Sequence, residues 1–316
     1  MRTFFLALIL LCTQPGFAAD SLYTEVPDTL HTASGDLYGT LMLPAKAKGK
    51  LPVALLIAGS GPTDRNGNTP VLPGKNNSLL YLAQELAAQG IATLRYDKRG
   101  IAASVDAGKK EEDMRFDDLV ADARAWVAHL RGDGRFARIT IIGHSEGSLI
   151  GMLAAAAADR FISLCGAGVP ADSLLRKQLA TVPPAVRASA YHSLDSLKQG
   201  LLVQKPSIFL MSLFRPSVQP YMISWFRHDP RTAIAALKMP VLIAQGDKDL
   251  QVSVSDAETL KAAAPKAQLL IVKDMNHVLK VVESDDPKVN EKAYSDPALP
   301  VAPKLVTAIV AFIRKP

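Results

Sequence analysis

The sequence predicts an α/β fold with a mainly parallel sheet, flanking helices and an inserted helical cap. Short apolar runs alternate along most of the chain with stretches of helical periodicity, and this alternation is typical of parallel strands joined by helical crossovers. The alternation stops between residues 170 and 238 and resumes at Pro240. Because a structureless loop of that length is rare inside a compact domain, the interval is predicted to be an insertion.

Six short apolar runs, rich in β-branched residues, are predicted strands buried on both faces of the sheet. They cover residues 53–58, 91–95, 138–142, 162–165, 241–244 and 268–272. The helical patterns between and after them cover residues 77–89, 116–131, 146–158, 255–264 and 302–314. Two alternating segments, 22–32 and 36–43, come first and are joined through Gly35, which favours an antiparallel hairpin at the edge of the sheet.

These elements predict the domain organisation. Residues 20–169 and 239–316 would form the two parts of the sheet domain, and residues 170–238 would form the cap. The cap interval is rich in Pro, Ser, Leu, Phe and Met, with helix-like patterns at 196–203 and 208–214. Long insertions of this kind are usually lids or binding elements.

The first 19 residues have the composition of an export signal. Arg2 supplies the positive start, residues 4–11 form an apolar core, and small residues follow at Gly16, Ala18 and Ala19. The apolar core is too short to span a bilayer. We therefore expect cleavage near Ala18 or Ala19 and a periplasmic or secreted mature chain.

Composition narrows the function classes. The formal net charge is +6, but basic and acidic residues are interspersed, as in 109–118, so a nucleic-acid partner is not expected. No second apolar run approaches membrane length, so stable membrane insertion is not expected either.

Removal of Cys12 with the signal leaves Cys165 as the only thiol, which excludes an internal disulfide. The sequence shows no ligand-spaced cluster of His, Cys and carboxylate residues and no GxGxxG motif after a strand, so neither a metal nor a cofactor is predicted.

The motif GHSEG at 143–147 is the most specific chemical signal in the chain. It follows the apolar run 138–142 and opens the helical pattern that begins at Glu146. Strand, GxSxG and helix in this order predict a nucleophile elbow, a tight turn that needs glycine beside the crowded serine. Ser145 is the candidate nucleophile.

A serine hydroxyl needs a base, and the base needs a carboxylate to hold its tautomer. Asp249 lies in the GDKD motif after the strand 241–244, and His277 follows the strand 268–272. Ligands and catalytic groups collect at the carboxyl ends of parallel strands, so these are the candidate acid and base. Asp247 and Asp172 remain alternatives for the acid.

Hydrolysis through a tetrahedral intermediate also needs an oxyanion hole, in which each donor contributes about 3 to 4 kcal/mol. One candidate donor is the backbone N–H of Glu146, directly after the nucleophile. The other is the backbone N–H of Ser60 in the GSGP loop, 59–62, after the first parallel strand. A Glu146 carboxylate facing the oxyanion would oppose its charge, so we expect this side chain to point away and pair with Arg65 or with a cation of 95–99.

Taken together, these motifs resemble the α/β-hydrolase superfamily, in particular its bacterial esterase and serine aminopeptidase-like branches. The resemblance is carried by GSGPTDRNGN at 59–68, YDKRG at 96–100, GHSEG, and the GxxDxxV pattern at 246–252. It implies an eight-stranded sheet, a Ser-Asp-His triad and hydrolysis of an ester or related acyl bond. One departure is visible, because the frequent HG before the oxyanion residue is AG here, at Ala58 and Gly59.

Residues of the cap and of the loop beyond the oxyanion donor are candidates for substrate binding. A second interpretation is that the loop residue belongs to a turn network and the cap residues only pack against the core. The candidates are Arg65, Met211, Phe214, Tyr221 and Trp225.

The predicted function is an exported serine hydrolase acting on a small ester, most consistent with a carboxylesterase. A peptidase is the first alternative, and it would need carboxylates such as Glu258, Asp195 or Asp229 to hold a substrate ammonium. An acyl thioester hydrolase and a non-catalytic binder of an apolar ligand are the others.

Overall fold

The computed structural model describes residues 22–46 and 48–316, so the predicted export signal lies outside the described residues. Within them, eight strands form one sheet in the order β1-β2-β4-β3-β5-β6-β7-β8. The strands are β1 (Tyr23–Thr32), β2 (Gly35–Pro44), β3 (Leu51–Ile57), β4 (Ala92–Tyr96), β5 (Phe136–His144), β6 (Arg160–Leu164), β7 (Val241–Gly246) and β8 (Gln268–Val272). Strands β3 to β8 are mutually parallel.

Eleven α-helices connect or flank these strands in the described part of the chain. They are α1 (Ser78–Ala88), α2 (Phe116–Gly132), α3 (Glu146–Ala154), α4 (Ala171–Gln178), α5 (Pro184–Lys198), α6 (Met211–Phe214), α7 (Gln219–Trp225), α8 (Pro230–Ala235), α9 (Val254–Ala263), α10 (Pro287–Lys292) and α11 (Pro303–Arg314). Short 3-10 turns lie at Ala102–Ala107, Glu111–Asp113, Ala155–Ala157, Leu179–Thr181, Ile208–Leu210, Pro216–Val218 and Ala293–Ser295. The predicted mainly parallel α/β architecture is confirmed.

The strand order places two important loops side by side. After β3 the chain crosses to β4 on one side, and it then returns to β5 on the other side of β3. Ligands bind at such a switch point, outside the carboxyl ends of the strands. The loops after β3 and β5 are those that carry Ser60 and Ser145. The antiparallel hairpin β1–β2 joins the sheet through β4, at the edge where the alternating pattern predicted it.

Each face of the sheet is covered by a separate apolar core. One core contains Trp126 of α2 and Ile150 of α3, and the other contains Leu82 of α1 and Ile309 of α11. All four side chains are buried. Because apolar helices cover both faces, the parallel strands read as continuous apolar runs in the sequence.

The segment between β6 and β7 folds into helices α4 to α8 and has an apolar core of its own, which includes Leu194, Phe214 and Met222. One helix predicted within this segment is not formed as expected. The pattern at 196–203 predicted a helix there, but α5 ends at Lys198, and Gly200 has φ +80°. A left-handed glycine just after the last turn ends a helix, so residues 199–207 run as a loop. The boundaries at 170 and 238 stay predictions.

Candidate active site

Ser145 sits on the sharp turn between β5 and α3. Its backbone is at φ 55° and ψ −121°, a strained conformation for a residue other than glycine. A Cβ on Gly143 would lie 2.2 Å from the oxygen of Gly147, and one on Gly147 would lie 2.4 Å from the oxygen of Ile57. Both flanking positions therefore require glycine, because the turn packs against itself and against β3.

His277 and Asp249 form a buried pair on the next loops along the sheet edge. The Nδ1 of His277 lies 2.8 Å from Oδ2 of Asp249, with side-chain exposures of 5% and 0%. A carboxylate can only accept, so Nδ1 carries the proton and Nε2 is left free to accept one. The tautomer is the one that a general base needs.

The Asp249 carboxylate is held by several further donors. The backbone N–H groups of Gln251 and Val252 donate to Oδ1 at 2.8 and 2.9 Å, and the Gln245 amide donates to Oδ2 at 2.9 Å. Burial would raise the pKa of Asp249, but the electrostatic interaction with His277 and the hydrogen bonds from His277, Val252 and Gln251 outweigh it and leave the pKa below its ordinary value. The carboxylate is thus ionised and fixed in place.

Two of the residues around this carboxylate were not among the site residues predicted from the sequence. Gln245 is the last but one residue of β7, and Cys165 follows β6 directly. Burial first, then the nearby Asp249 charge, raises the pKa of the Cys165 thiol well above its ordinary value. The available signal was position alone, because both residues lie at the carboxyl ends of strands next to the candidate acid.

His144 supports the base from below. Its Nε2 lies 2.8 Å from the backbone oxygen of His277, and the two rings have centroids 4.9 Å apart. Because a carbonyl only accepts, Nε2 carries the proton. Burial, with a smaller contribution from the charge of His277, lowers the pKa of His144 to about 4. His144 is therefore a neutral donor that fixes the backbone of His277.

The candidate nucleophile and the candidate base lie on neighbouring loops without a hydrogen bond between them. Among residues 22–46 and 48–316, the Ser145 hydroxyl forms no hydrogen bond, either to His277 or to any other group. The adjacent His144 ring is in contact with the His277 ring, so the two loops meet at the same edge of the sheet. Hydrogen bonds in a catalytic site are often long before substrate binds.

The candidate oxyanion donors are organised by Lys98, which the sequence analysis included only as part of the segment 95–99. The Lys98 ammonium donates to the backbone oxygen of Gly59 and lies 3.4 Å from Oε2 of Glu146. The carbonyl and N–H of a planar peptide point in opposite directions. The Gly59 carbonyl and the Ser60 N–H belong to the same peptide unit. Because Lys98 holds this carbonyl, the N–H of Ser60 points away from Lys98.

The Glu146 side chain points away from the nucleophile and into a buried polar cluster. Side-chain exposures are 4% for Lys98 and 3% for Glu146, and the Tyr221 hydroxyl of the cap donates to Oε1 at 2.7 Å. The expected ion pair with a cation of 95–99 is present. The backbone N–H of Glu146 lies in the first turn of α3, where it has no partner within the helix.

A small cleft of about 90 Å³ opens beside Ser145. Ser60, Ser145 and Glu146 line its sheet side, and Leu174 and Trp225 are among the residues that line its cap side. An apolar cleft with a few convergent polar groups is typical of a small-molecule site.

The five candidate substrate-binding residues fall in different places. Trp225 lines the cleft beside Ser145, and Tyr221 lines a neighbouring cavity of about 350 Å³. Phe214 is fully buried in the core of the cap, and Met211 lines neither of these two cavities. For Phe214, helix packing accounts for the position instead.

Arg65 does not reach the cleft either. Its guanidinium makes a two-pronged ion pair with Asp97, at 2.6 and 3.0 Å, and also donates to Thr40 at 3.0 Å. The alternative acids are engaged elsewhere as well. Asp247 accepts from the backbone N–H of Asp274 at 2.6 Å, and Asp172 pairs with Lys198 at 2.7 Å.

One compact group of potential metal ligands occurs among the described residues. Single ligand atoms of His144, Cys165 and His277 all lie within 4.8 Å of one another. His144 and His277 each already have a hydrogen-bond partner, as described above. Metals bind the thiolate form of cysteine, and burial raises the pKa of the Cys165 thiol well above its ordinary value.

Part of the chain is similar to a known protein family and to a characterised esterase. Residues 76–211 match the family model described as serine aminopeptidase, S33. The chain is 26% identical over 252 residues to Esterase EstD of Thermotoga maritima, an alignment that covers 77% of this chain. The chain spans 58% of the length of that relative.

Solved structures resemble the fold over nearly its whole length. Est1E from Butyrivibrio proteoclasticus, with ferulic acid bound, superposes with a TM-score of 0.60 at 18% identity, covering 91% of this chain and 100% of that one. The α/β hydrolase GrgF from Penicillium sp. sh18 gives 0.54 at 18% identity, covering 85% and 96%. This is the α/β-hydrolase fold. The fold that the four sequence motifs implied is confirmed, including the eight-stranded sheet.

Proposed function

We propose that this α/β hydrolase is a serine esterase that cleaves carboxylic esters through an acyl-enzyme on Ser145. The observation that carries the proposal is the buried His277–Asp249 pair at 2.8 Å, which stands at the same sheet edge as a serine held at φ 55°. A strained serine on an elbow exposes its hydroxyl, and a fixed imidazole with a free Nε2 can accept its proton. The likeness to Esterase EstD supports an ester as the substrate.

In the proposed mechanism, Oγ of Ser145 attacks the ester carbonyl carbon while its proton passes to Nε2 of His277. The backbone N–H groups of Ser60 and Glu146 stabilise the oxyanion of the tetrahedral intermediate. The carbon–oxygen bond to the alcohol then breaks, and His277 returns the proton to the departing alkoxide. Water repeats the attack on the acyl-serine and releases the acid, and Asp249 holds the imidazole throughout.

The nucleophile is tested by replacing Ser145 with alanine. We expect Ser145→Ala to lower kcat on a p-nitrophenyl ester by about 10⁴-fold or more and to abolish labelling by a fluorophosphonate. Ser148→Ala is the matched control, because that serine lies one turn along α3 and its hydroxyl, within the described part of the chain, hydrogen-bonds only to the Ser163 hydroxyl, at 2.7 Å. If Ser145→Ala keeps more than about a tenth of the turnover, the assignment is wrong.

The oxyanion donors are tested through the backbone. Ser60→Pro removes the N–H and should lower kcat by about 10² to 10³-fold, whereas Ser60→Ala keeps the N–H and should retain kcat. Equal activity of the two variants would exclude Ser60 as a donor.

A peptidase is the second candidate, because the family model over 76–211 is described as a serine aminopeptidase. The carboxylates that could hold a substrate ammonium do not converge on the cleft. Asp195 pairs with Arg176, Asp229 pairs with Arg231, and Glu258 is exposed on α9. Hydrolysis of aminoacyl anilides at a higher kcat/KM than esters would favour the peptidase.

We further propose that the mature enzyme is exported, because residues 1–19 have the composition of a signal. Fractionation of cells that express the full chain, with N-terminal sequencing of the product, tests this.

Two alternatives remain to be distinguished from an esterase. An acyl thioesterase would hydrolyse a panel of acyl thioesters at a higher kcat/KM than esters. A non-catalytic binder would remain unlabelled by the fluorophosphonate.

A further inference from the structure

Positive charge is concentrated in the cap. Residues 170–238 contain nine of the 36 basic residues but three of the 30 acidic residues. This segment therefore has a formal charge of +6, which equals the charge of the whole chain, and the rest of the chain is neutral. A charge confined to one inserted element points to an anionic partner for that element.

Many of these cap cations have no carboxylate partner. The three cap carboxylates, Asp172, Asp195 and Asp229, pair with other cap residues. Arg215 pairs with Glu111 of the sheet domain. Five cations form no ion pair with any of the described residues, namely Lys177, Arg187, Lys205, Arg227 and Lys238.

The same cap carries a dense group of exposed apolar side chains. After α5 the chain runs over the surface, and within nine residues four large apolar side chains are exposed by 53% to 78% of their area: Leu201, Leu202, Ile208 and Phe209. Exposed lysines lie among or beside them at 198 and 205. No acidic residue occurs from 196 to 228. We call residues 198–209 the cap loop.

We propose that the cap loop is a docking surface for an anionic lipid bilayer. Protruding apolar side chains enter the boundary between headgroups and acyl chains, and flanking lysines are attracted to the negative surface, so the two contributions add. An acidic protein would complement the lysines but would leave Ile208 and Phe209, each more than three-quarters exposed, without an apolar counterpart. The proposal does not depend on the proposed esterase activity.

Co-sedimentation of the full-length protein with vesicles tests the proposal. Vesicles of equal parts phosphatidylcholine and phosphatidylglycerol should bind the protein at least about fivefold better than pure phosphatidylcholine. Ile208→Ser/Phe209→Ser should lower the partition coefficient on the mixed vesicles by about tenfold or more. Lys205→Gln should lower it by about fivefold.

The matched control is Val71→Ser/Leu72→Ser, another adjacent apolar pair, with exposures of 73% and 41%, outside the cap. It should leave the partition coefficient unchanged. Because residues 4–11 are identical in all variants, their apolar character cannot produce a difference between them. Circular dichroism and turnover of a short soluble ester should be the same for all variants, since neither pair lines the cleft beside Ser145.

Three results would overturn the proposal. Wild-type protein could bind both kinds of vesicle equally, which would remove the anionic lipid. The Ile208→Ser/Phe209→Ser variant could bind as well as the wild type does. Binding could be abolished by about 0.5 M salt and yet be insensitive to that variant, which would indicate charge alone rather than insertion.

Discussion

Replacement of His144 by glutamine should change how stability depends on pH. In the folded protein His144 is a buried neutral donor to the backbone of His277, with a pKa near 4 instead of the ordinary 6.5. Between these two pH values the unfolded chain binds a proton that the folded chain does not bind. The free energy of unfolding therefore falls as the pH falls through this window.

The size of the effect follows from the shift in pKa. A lowering from 6.5 to about 4 corresponds to about 3 kcal/mol, at 1.36 kcal/mol for each unit. Glutamine does not titrate, and its Nε2 can still donate to the carbonyl of His277. His144→Gln should therefore be less sensitive to acid, and the difference in unfolding free energy between the two proteins should move by about 3 kcal/mol in favour of the variant between pH 7 and pH 4.

Urea denaturation followed by far-ultraviolet circular dichroism at half-unit steps of pH measures this difference. Other groups that titrate in the same range are present in both proteins and cancel in the comparison. A difference that stays constant within about 1 kcal/mol from pH 7 to pH 4 would refute the reasoning, because His144 would then have a similar pKa in the folded and unfolded chains.

Two further substitutions test the elbow and the oxyanion support. Gly147→Ala would place a Cβ 2.4 Å from the backbone oxygen of Ile57, so we expect little folded protein by circular dichroism, whereas Gly134→Ala, with nothing within 4 Å, should fold normally. Lys98→Met should destabilise the protein by about 3 to 5 kcal/mol in urea, because it leaves the Glu146 carboxylate buried without its cation. The double variant Lys98→Met/Glu146→Gln should recover stability, because no buried carboxylate is left without a cation. Its kcat should stay low, because the Gly59 carbonyl still lacks its donor. Recovery of kcat as well would show that Lys98 acts only on stability.

Features encoded by short stretches of sequence were predicted well. The parallel strands, the edge hairpin and the elbow glycines follow from hydrophobic periodicity and from steric demands between near neighbours. Ser145, Asp249 and His277 were chosen as candidates because each comes shortly after a strand, and parallel strands bring their carboxyl ends to one edge.

Features that depend on distant partners were missed or placed wrongly. From the sequence, Arg65 suited either substrate binding or a turn network. In the structure it forms an internal ion pair with Asp97, which lies 32 positions away in the chain. The pattern at 196–203 suited a helix, but α5 ends within it at Lys198, and Gly200, two residues later, is left-handed. In the same way, Phe214 has the character of a pocket residue, and only the packing of the cap helices shows it to be buried.

The sequence by itself determined the α/β fold, the position of the elbow and the chain order of the candidate nucleophile, acid and base. Those features depend on local periodicity and on glycine positions, which can be read without knowing what packs where. Only the tertiary structure decided how the site is held together. His144 meets His277 across 133 positions, and Lys98 meets Gly59 across 39. Burial then fixes the charge states, because desolvation acts only on a group that the fold has enclosed.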